Sequence, residues 1–110
     1  MARMEVEALL LLLGISSNYR GYQLLLATLN AVLDDPDKML RANRLFQEIA
    51  DTFHTSPTSV RDNIETLINV SWRKNPHLIQ EITGYPLVSR PSVKRFLEIV
   101  LNYLMRTASS

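Results

Sequence analysis

Apolar residues recur every three or four positions along most of this chain of 110 residues. That period is typical of α-helices that bury one side. The pattern predicts six helices, with a brief helical connector over about residues 38–43 between the second and the third. The predicted helices span about residues 2–13, 19–33, 44–53, 57–74, 77–83 and 93–106. The expected fold class is therefore all-α.

Helix-breaking residues support these boundaries. Gly14 follows the first helix, where glycine commonly ends a helix. Asn75-Pro76 ends the fourth helix, and Ser92 can cap the last one. The second helix ends in Asp34-Asp35-Pro36-Asp37, but no further oxygen ligands follow at calcium-loop spacing, so a turn with an N-cap is expected there rather than a metal site.

The most apolar stretch runs from Val6 to Ile15 and contains five consecutive leucines. It is far shorter than the ~18 apolar residues of a membrane span, and no small-residue cleavage site follows it, which argues against a secretory signal. We expect a buried helix that is apolar nearly all round. Such a helix favours self-association, with Leu10 or Leu13 in the contact, and the alternative is that both belong wholly to the domain's own core.

Residues 45–72 contain two apolar helical faces joined by a polar turn, His54-Thr55-Ser56-Pro57. Ser56 can cap the second helix, and Pro57 suits its first position. The first face contains Leu45, Phe46, Ile49, Ala50 and Phe53, and the second contains Val60, Ile64, Leu67, Ile68 and Trp72. A small residue such as Ala50 lets two helices cross closely. The layout is that of a DNA-binding helix-turn-helix over about residues 44–74, whose second helix enters the major groove; the alternative is an ordinary helical hairpin.

The composition narrows the function classes. The chain has no cysteine, which excludes a thiol nucleophile and a cysteine-based zinc site and suits a reducing cytoplasm. His54 and His77 have no neighbours at metal-ligand spacing, so no metal is expected, and no cofactor is implied. No catalytic motif is present, and we expect no catalytic residue and no enzyme.

Charge is unevenly distributed along the chain. The net charge is only +1, but residues 71–110 carry six Lys/Arg against two Asp/Glu. A basic end beside a recognition helix favours phosphate contacts, and an uneven solvated surface is the alternative.

The DNA-contacting candidates follow from this arrangement. The candidates for reading bases lie on the outer face of the helix at 57–74 and are Ser59, Arg61, Asp62, Glu65 and Thr66. The candidates for contacting phosphates are Ser56, Thr58, Arg73, Lys74, Lys94 and Arg95. Asp62 and Glu65 are alternatively partners of Arg61 or plain surface charges.

Several residues in this order also indicate a family. They are Arg20-Gly21-Tyr22, Leu45, Ile49, Ala50, Phe53, Thr55, Val60, Ile64, Ile68, Val70, Trp72 and Gly84-Tyr85. From about Glu7 to Met105 the chain resembles the C-terminal DNA-binding effector domain of the sporulation-initiation response regulator family of endospore-forming Firmicutes. The resemblance implies a six-helix bundle with a helix-turn-helix, a transcription factor that binds short DNA boxes as tandem dimers and touches RNA polymerase.

Two features depart from what the resemblance implies. Family members usually have basic residues where Asp62 and Glu65 stand, and often an acid where Arg61 stands, so the family's DNA sequence does not transfer. Relatives usually carry a receiver domain before this one, and residues 1–110 hold only a single effector domain. We expect a sequence-specific transcriptional regulator that binds double-stranded DNA and RNA polymerase. It is expected to form a weak homodimer that is stronger on DNA and to have no membrane contact. The alternative is an interaction module that has lost DNA reading.

Overall fold

The computed structural model describes residues 2–108, with side chains described over residues 5–107. Within that range it contains six α-helices, one 3₁₀ helix and no strand, which confirms the all-α prediction. The elements in order are α1 (Ala2–Leu12), α2 (Tyr22–Asp34), a 3₁₀ connector (Pro36–Arg41), α3 (Ala42–Thr52), α4 (Pro57–Lys74), α5 (Pro76–Thr83) and α6 (Val93–Ala108).

Helix α4 is the central element of the fold. It packs against α2, α3, α5 and α6, while α1 packs against α2 and α6. The inner face of α4 is fully buried at Val60, Ile64, Leu67 and Ile68. Trp72 is only partly buried and packs at the edge of the same core. One side of α4 is thus buried in the core along its whole length. The other side is available for contacts outside the domain.

Asn75 joins three helices at the end of α4. Its backbone N–H donates to Ser71 O at 2.8 Å and closes α4, while its side-chain oxygen accepts from Leu78 N–H at 3.3 Å and caps α5. Its Nδ2 donates to Leu12 O at 3.1 Å, at the end of α1. Pro76 takes the first position of α5, one residue earlier than the sequence predicted.

Helix α1 corrects one sequence prediction. Leu10 and Leu13, the residues expected in a self-contact, are fully buried by the chain's own helices. Leu11 and Leu12 are instead 65% and 66% exposed. A run of consecutive leucines gives no polar positions from which to orient the helix, and the structure agrees with the stated alternative that Leu10 and Leu13 belong to the domain's own core. After α1, Gly14 adopts φ +88 and Ile15 N–H donates to Leu10 O at 2.8 Å, so the predicted glycine terminator is confirmed.

Helix α2 begins at Tyr22, three residues later than predicted, because Gly21 just before it lies in the left-handed region at φ +88. Its buried side includes Thr28, whose hydroxyl donates to Leu24 O at 2.7 Å, whereas Leu26 and Leu33 are only partly buried. At the other end the predicted turn is confirmed, since the carboxylate of Asp35 accepts from Asp37 N–H at 3.2 Å and caps the 3₁₀ connector.

None of the helices in the described range is long and apolar enough to cross a membrane. Across that same part of the chain, no three acidic or histidine side chains come together as a metal site would require.

Candidate nucleic-acid interface

The turn between α3 and α4 has the geometry expected from its sequence. Ser56 is the N-cap of α4, and its Oγ accepts from Ser59 N–H at 3.1 Å. Before it, His54 takes the left-handed conformation at φ +56, and Thr55 N–H donates to Ala50 O at 2.9 Å. This backbone bond ends α3 in the way that usually places a glycine at the left-handed position. Ala50 is fully buried, so the two helices meet closely as predicted.

Phe53 is the exception on the α3 face. The sequence predicted it to be an apolar face residue, but its side chain is exposed. The helix ends at Thr52, so Phe53 no longer follows the helical direction of Ile49 and Ala50 and turns out of the core.

The outer face of α4 is polar from its first turn to its middle. Arg61, Asp62 and Thr66 of the base-reading set are exposed, as is the phosphate candidate Thr58, while Glu65 is half-buried. Thr66 is held in place because its hydroxyl donates to Asp62 O at 3.0 Å. Ser59 differs from these exposed residues. It is half-buried, and its Oγ and backbone oxygen lie 3.4 and 2.8 Å from Nδ2 of Asn63, so it faces the side of the helix that approaches α2.

Arg61 rests on a ring rather than on an acid. Its guanidinium carbon lies 5.7 Å from the centroid of the Phe46 ring on α3, within cation–π distance. Together with Asn43, Gln47, Pro57 and Thr58 these two residues line a shallow groove between the ends of the two helices. The expected partnership of Arg61 with Asp62 or Glu65 is therefore wrong for Glu65, which binds elsewhere, and no ion pair with Asp62 forms within the described residues.

Glu65 is paired with Arg90, from the loop between α5 and α6. Arg90 Nη2 lies 3.3 Å from Glu65 Oε2, and Arg90 Nη1 donates to Pro91 O at 3.3 Å. This ion pair fastens the loop to the middle of the exposed face of α4. Lys94 and Arg95, at the basic start of α6, follow Arg90 by only four and five residues.

The first turn of α6 carries the predicted phosphate candidates. Ser92 caps the helix, with its Oγ accepting from Arg95 N–H at 3.2 Å, as predicted. Lys94 is exposed, and the Arg95 guanidinium lies 5.5 Å from the centroid of the Tyr85 ring. The ring restrains the Arg95 side chain, and the cap bonds only its backbone N–H.

Arg73 and Lys74 lie at the opposite end of α4 from Ser56 and Thr58. The helix has 18 residues, which separates its two ends by about 25 Å at 1.5 Å per residue. Lys74 packs towards the α1–α2 connection, with Nζ 5.1 Å from the centroid of the Tyr19 ring. The phosphate candidates therefore fall into three groups, at the start of α4, at the end of α4 and in the first turn of α6.

Sequence reasoning left Arg90 out of the site, together with Asn43 and Gln47 of the groove. Arg90 was visible only as one charge of the basic C-terminal end. The partner of Arg90 is 25 residues away, and no local spacing rule reveals such a pair.

This helical bundle contains a capped helix-turn-helix whose second helix exposes a polar face flanked by basic residues. That arrangement defines the class of helix-turn-helix DNA-binding domains. The family model described as "Sporulation initiation factor Spo0A C terminal" matches residues 6–104 of the 110. The chain belongs to this family, and the resemblance stated from its sequence is confirmed. The family is the DNA-binding domain of a sporulation transcription factor, so this chain is a DNA-binding domain of a regulator, a class that points away from enzymatic activity.

Proposed function

We propose that this protein is a sequence-specific transcriptional regulator whose helix α4 enters the major groove of double-stranded DNA. The observation that carries the proposal is the exposed polar face of α4, beginning at a capped N-terminus. Ser56 and Thr58 lie where the backbone N–H groups of a helix point outwards, and such an end attracts phosphate. The groove is about 12 Å wide and accepts one helix lying along it.

Arg61 is the principal base-reading residue in this proposal. Arginine binds guanine O6 and N7 through two parallel hydrogen bonds, and this needs an extended, oriented side chain. The Phe46 ring supports the Arg61 side chain from α3 and reduces the freedom lost on binding. Asp62, the next residue, offers a carboxylate, and Glu65 and Thr66 offer a carboxylate and a hydroxyl about one turn further along the helix.

Phosphate binding is assigned to basic residues of α6 and of the end of α4. Lys94 and Arg95 lie in the first turn of α6, four and five residues after the Arg90 that pairs with Glu65, and we assign them to the DNA backbone next to the reading helix. Arg73 and Lys74, about 25 Å from Ser56, reach only phosphates beyond the groove that α4 occupies. These contacts fix orientation and carry no sequence preference themselves.

Selection of binding sites from random duplexes tests the proposal. We expect one short sequence to be enriched, and Arg61→Ala to weaken binding to it by about 1–3 kcal/mol while relaxing the preference at one base pair. The control is Arg41→Ala, which removes the same charge from the exposed 3₁₀ connector. Recovery of no enriched sequence by the unaltered protein would reject DNA reading and leave the interaction-module alternative.

Two partners extend the proposal. A homodimer, weak in solution and stronger on DNA, is supported by Leu11 and Leu12, which α1 leaves exposed beside a buried core. Contact with RNA polymerase rests on the family resemblance alone.

A further inference from the structure

Arg90 connects a loop to the surface that the proposed function assigns to base reading. Its side chain is 34% exposed and that of Glu65 is 47% exposed, so the pair lies at the surface, open to a ligand on one side. Two of the guanidinium nitrogens are engaged, one by the carboxylate and one by the Pro91 carbonyl. The Pro91 contact fixes the guanidinium from behind, and Arg90 is therefore well placed to hold Glu65 in one orientation.

A free carboxylate on this surface would oppose DNA binding. Its charge would face the phosphates on both sides of the groove, and the repulsion acts on every DNA sequence alike. Pairing with Arg90 cancels that charge locally without removing the acceptor oxygens. Only Oε2 is used by the ion pair, and no other described group bonds to Oε1.

We propose that Arg90 is a positioning residue that makes Glu65 selective for cytosine, an inference that rests on the proposed DNA-reading function of α4. In the major groove, cytosine presents the N4 amino group, a donor that a carboxylate can accept. With Oε2 held by Arg90, Oε1 faces the groove and accepts from N4. Guanine and thymine on that strand present acceptors, and adenine presents its N6 amino group at a different position from cytosine N4. These three bases therefore leave the carboxylate unpaired.

Asp62 provides a comparison on the same face. It is also an exposed carboxylate, one turn before Glu65, but it makes no ion pair within the described part of the chain. An unneutralised carboxylate at that position keeps its rotational freedom and its repulsion. The dependence on Arg90 should therefore be confined to the base pair read by Glu65.

The test is binding-site selection followed by affinity measurement on duplexes that differ at one position. We expect the unaltered protein to prefer cytosine at one position by about tenfold or more. Glu65→Ala should abolish that preference, and Arg90→Ala should reduce it to about threefold or less without altering the other positions. Arg90→Lys, which keeps the charge but not the planar geometry, should restore part of it. In the Glu65→Ala background, Arg90→Ala should change no positional preference.

Three other results would overturn the inference. One is a cytosine preference that stays unchanged in Arg90→Ala while affinity falls equally on all sequences and the log–log salt slope drops by about 0.9, which makes Arg90 a phosphate contact only. Another is a cytosine preference that survives Glu65→Ala. The third is an effect of Arg90→Ala on the base preference at the position read by Asp62 that equals its effect at the position read by Glu65. The position read by Asp62 is the one whose preference is lost in Asp62→Ala. Circular dichroism of each variant checks the fold, and Arg90→Gln replaces Arg90→Ala if the latter unfolds. If the unaltered protein enriches no sequence, the proposed function itself fails, which is a separate outcome.

Discussion

Gly21, just before α2, lies directly against Asn63 of α4. A Cβ atom placed on Gly21 would lie 2.7 Å from both Cβ and Oδ1 of Asn63, closer than atoms of two side chains can approach. Asn63 cannot easily withdraw, because its Nδ2 donates to Ser59 O at 2.8 Å. The contact therefore sets how closely α2 approaches the helix that is proposed to read DNA.

Gly21→Ala should destabilise the fold by about 2–4 kcal/mol. Part of this loss is the left-handed conformation at φ +88, and the rest is overpacking against α4. Gly84→Ala is the matched control, since Gly84 has φ +92 and nothing within 4 Å of the added atom, so only the conformational cost of about 1–2 kcal/mol applies. Urea unfolding of both variants measures the difference, and equal losses would show that the α2–α4 contact can relax.

His54→Gly should stabilise the fold by about 1 kcal/mol. His54 is exposed and holds the left-handed position that ends α3, a conformation that costs glycine nothing. His54→Ala is the control and should bring no gain, because alanine meets the same steric cost. A loss of stability in His54→Gly, measured by thermal or urea unfolding, would mean that the imidazole makes a contact worth more than the strain.

The double variant Lys94→Ala/Arg95→Ala should weaken binding to specific and random DNA about equally. Each lost phosphate contact lowers the slope of log affinity against log salt by about 0.9, so two contacts lower it by about 1.8. Arg41→Ala/Arg44→Ala removes two exposed charges that are not assigned to the DNA surface and should leave the slope unchanged. DNA titrations over a range of salt concentrations measure the slope for each double variant. The assignment of Lys94 and Arg95 to phosphate contacts fails if the two double variants give the same slope.

Leu11→Gln/Leu12→Gln should abolish cooperative binding to a duplex bearing two half-sites about one helical turn apart, while leaving binding to one half-site unchanged. Both leucines are exposed, so the substitution should not unfold the domain. Leu40 is 80% exposed on the 3₁₀ connector, and Leu40→Gln is the control for a lost surface leucine. Sedimentation on one-site and two-site duplexes reports the stoichiometry. One unaltered protein per two-site duplex would exclude the dimer.

The helix boundaries were predicted best where the chain changes direction abruptly. Both ends of α4 were predicted correctly, because Ser56-Pro57 and Asn75-Pro76 combine a capping side chain with a proline. The family and the all-α fold were predicted for the same reason, since apolar spacing and turn residues are properties of the sequence itself.

The orientation of α1 and the pairing within the interface were not predictable in the same way. Five adjacent leucines give no polar side, so only the packed structure separates buried Leu10 from exposed Leu11. The support of Arg61 by Phe46 and of Glu65 by Arg90 joins different elements. Local spacing predicts which residues share a helix face, and contacts between elements depend on how the helices dock.

Asn75, which joins α1, α4 and α5, lies at the end of α4 opposite its capped N-terminus. The polar contacts that tie α4 to α1 and α5 are therefore remote from Thr58, Arg61, Asp62 and Thr66. Substitutions among those four exposed residues can accumulate over generations without weakening the scaffold. Descendants of one ancestral domain can in this way acquire different genomic targets while keeping the same fold.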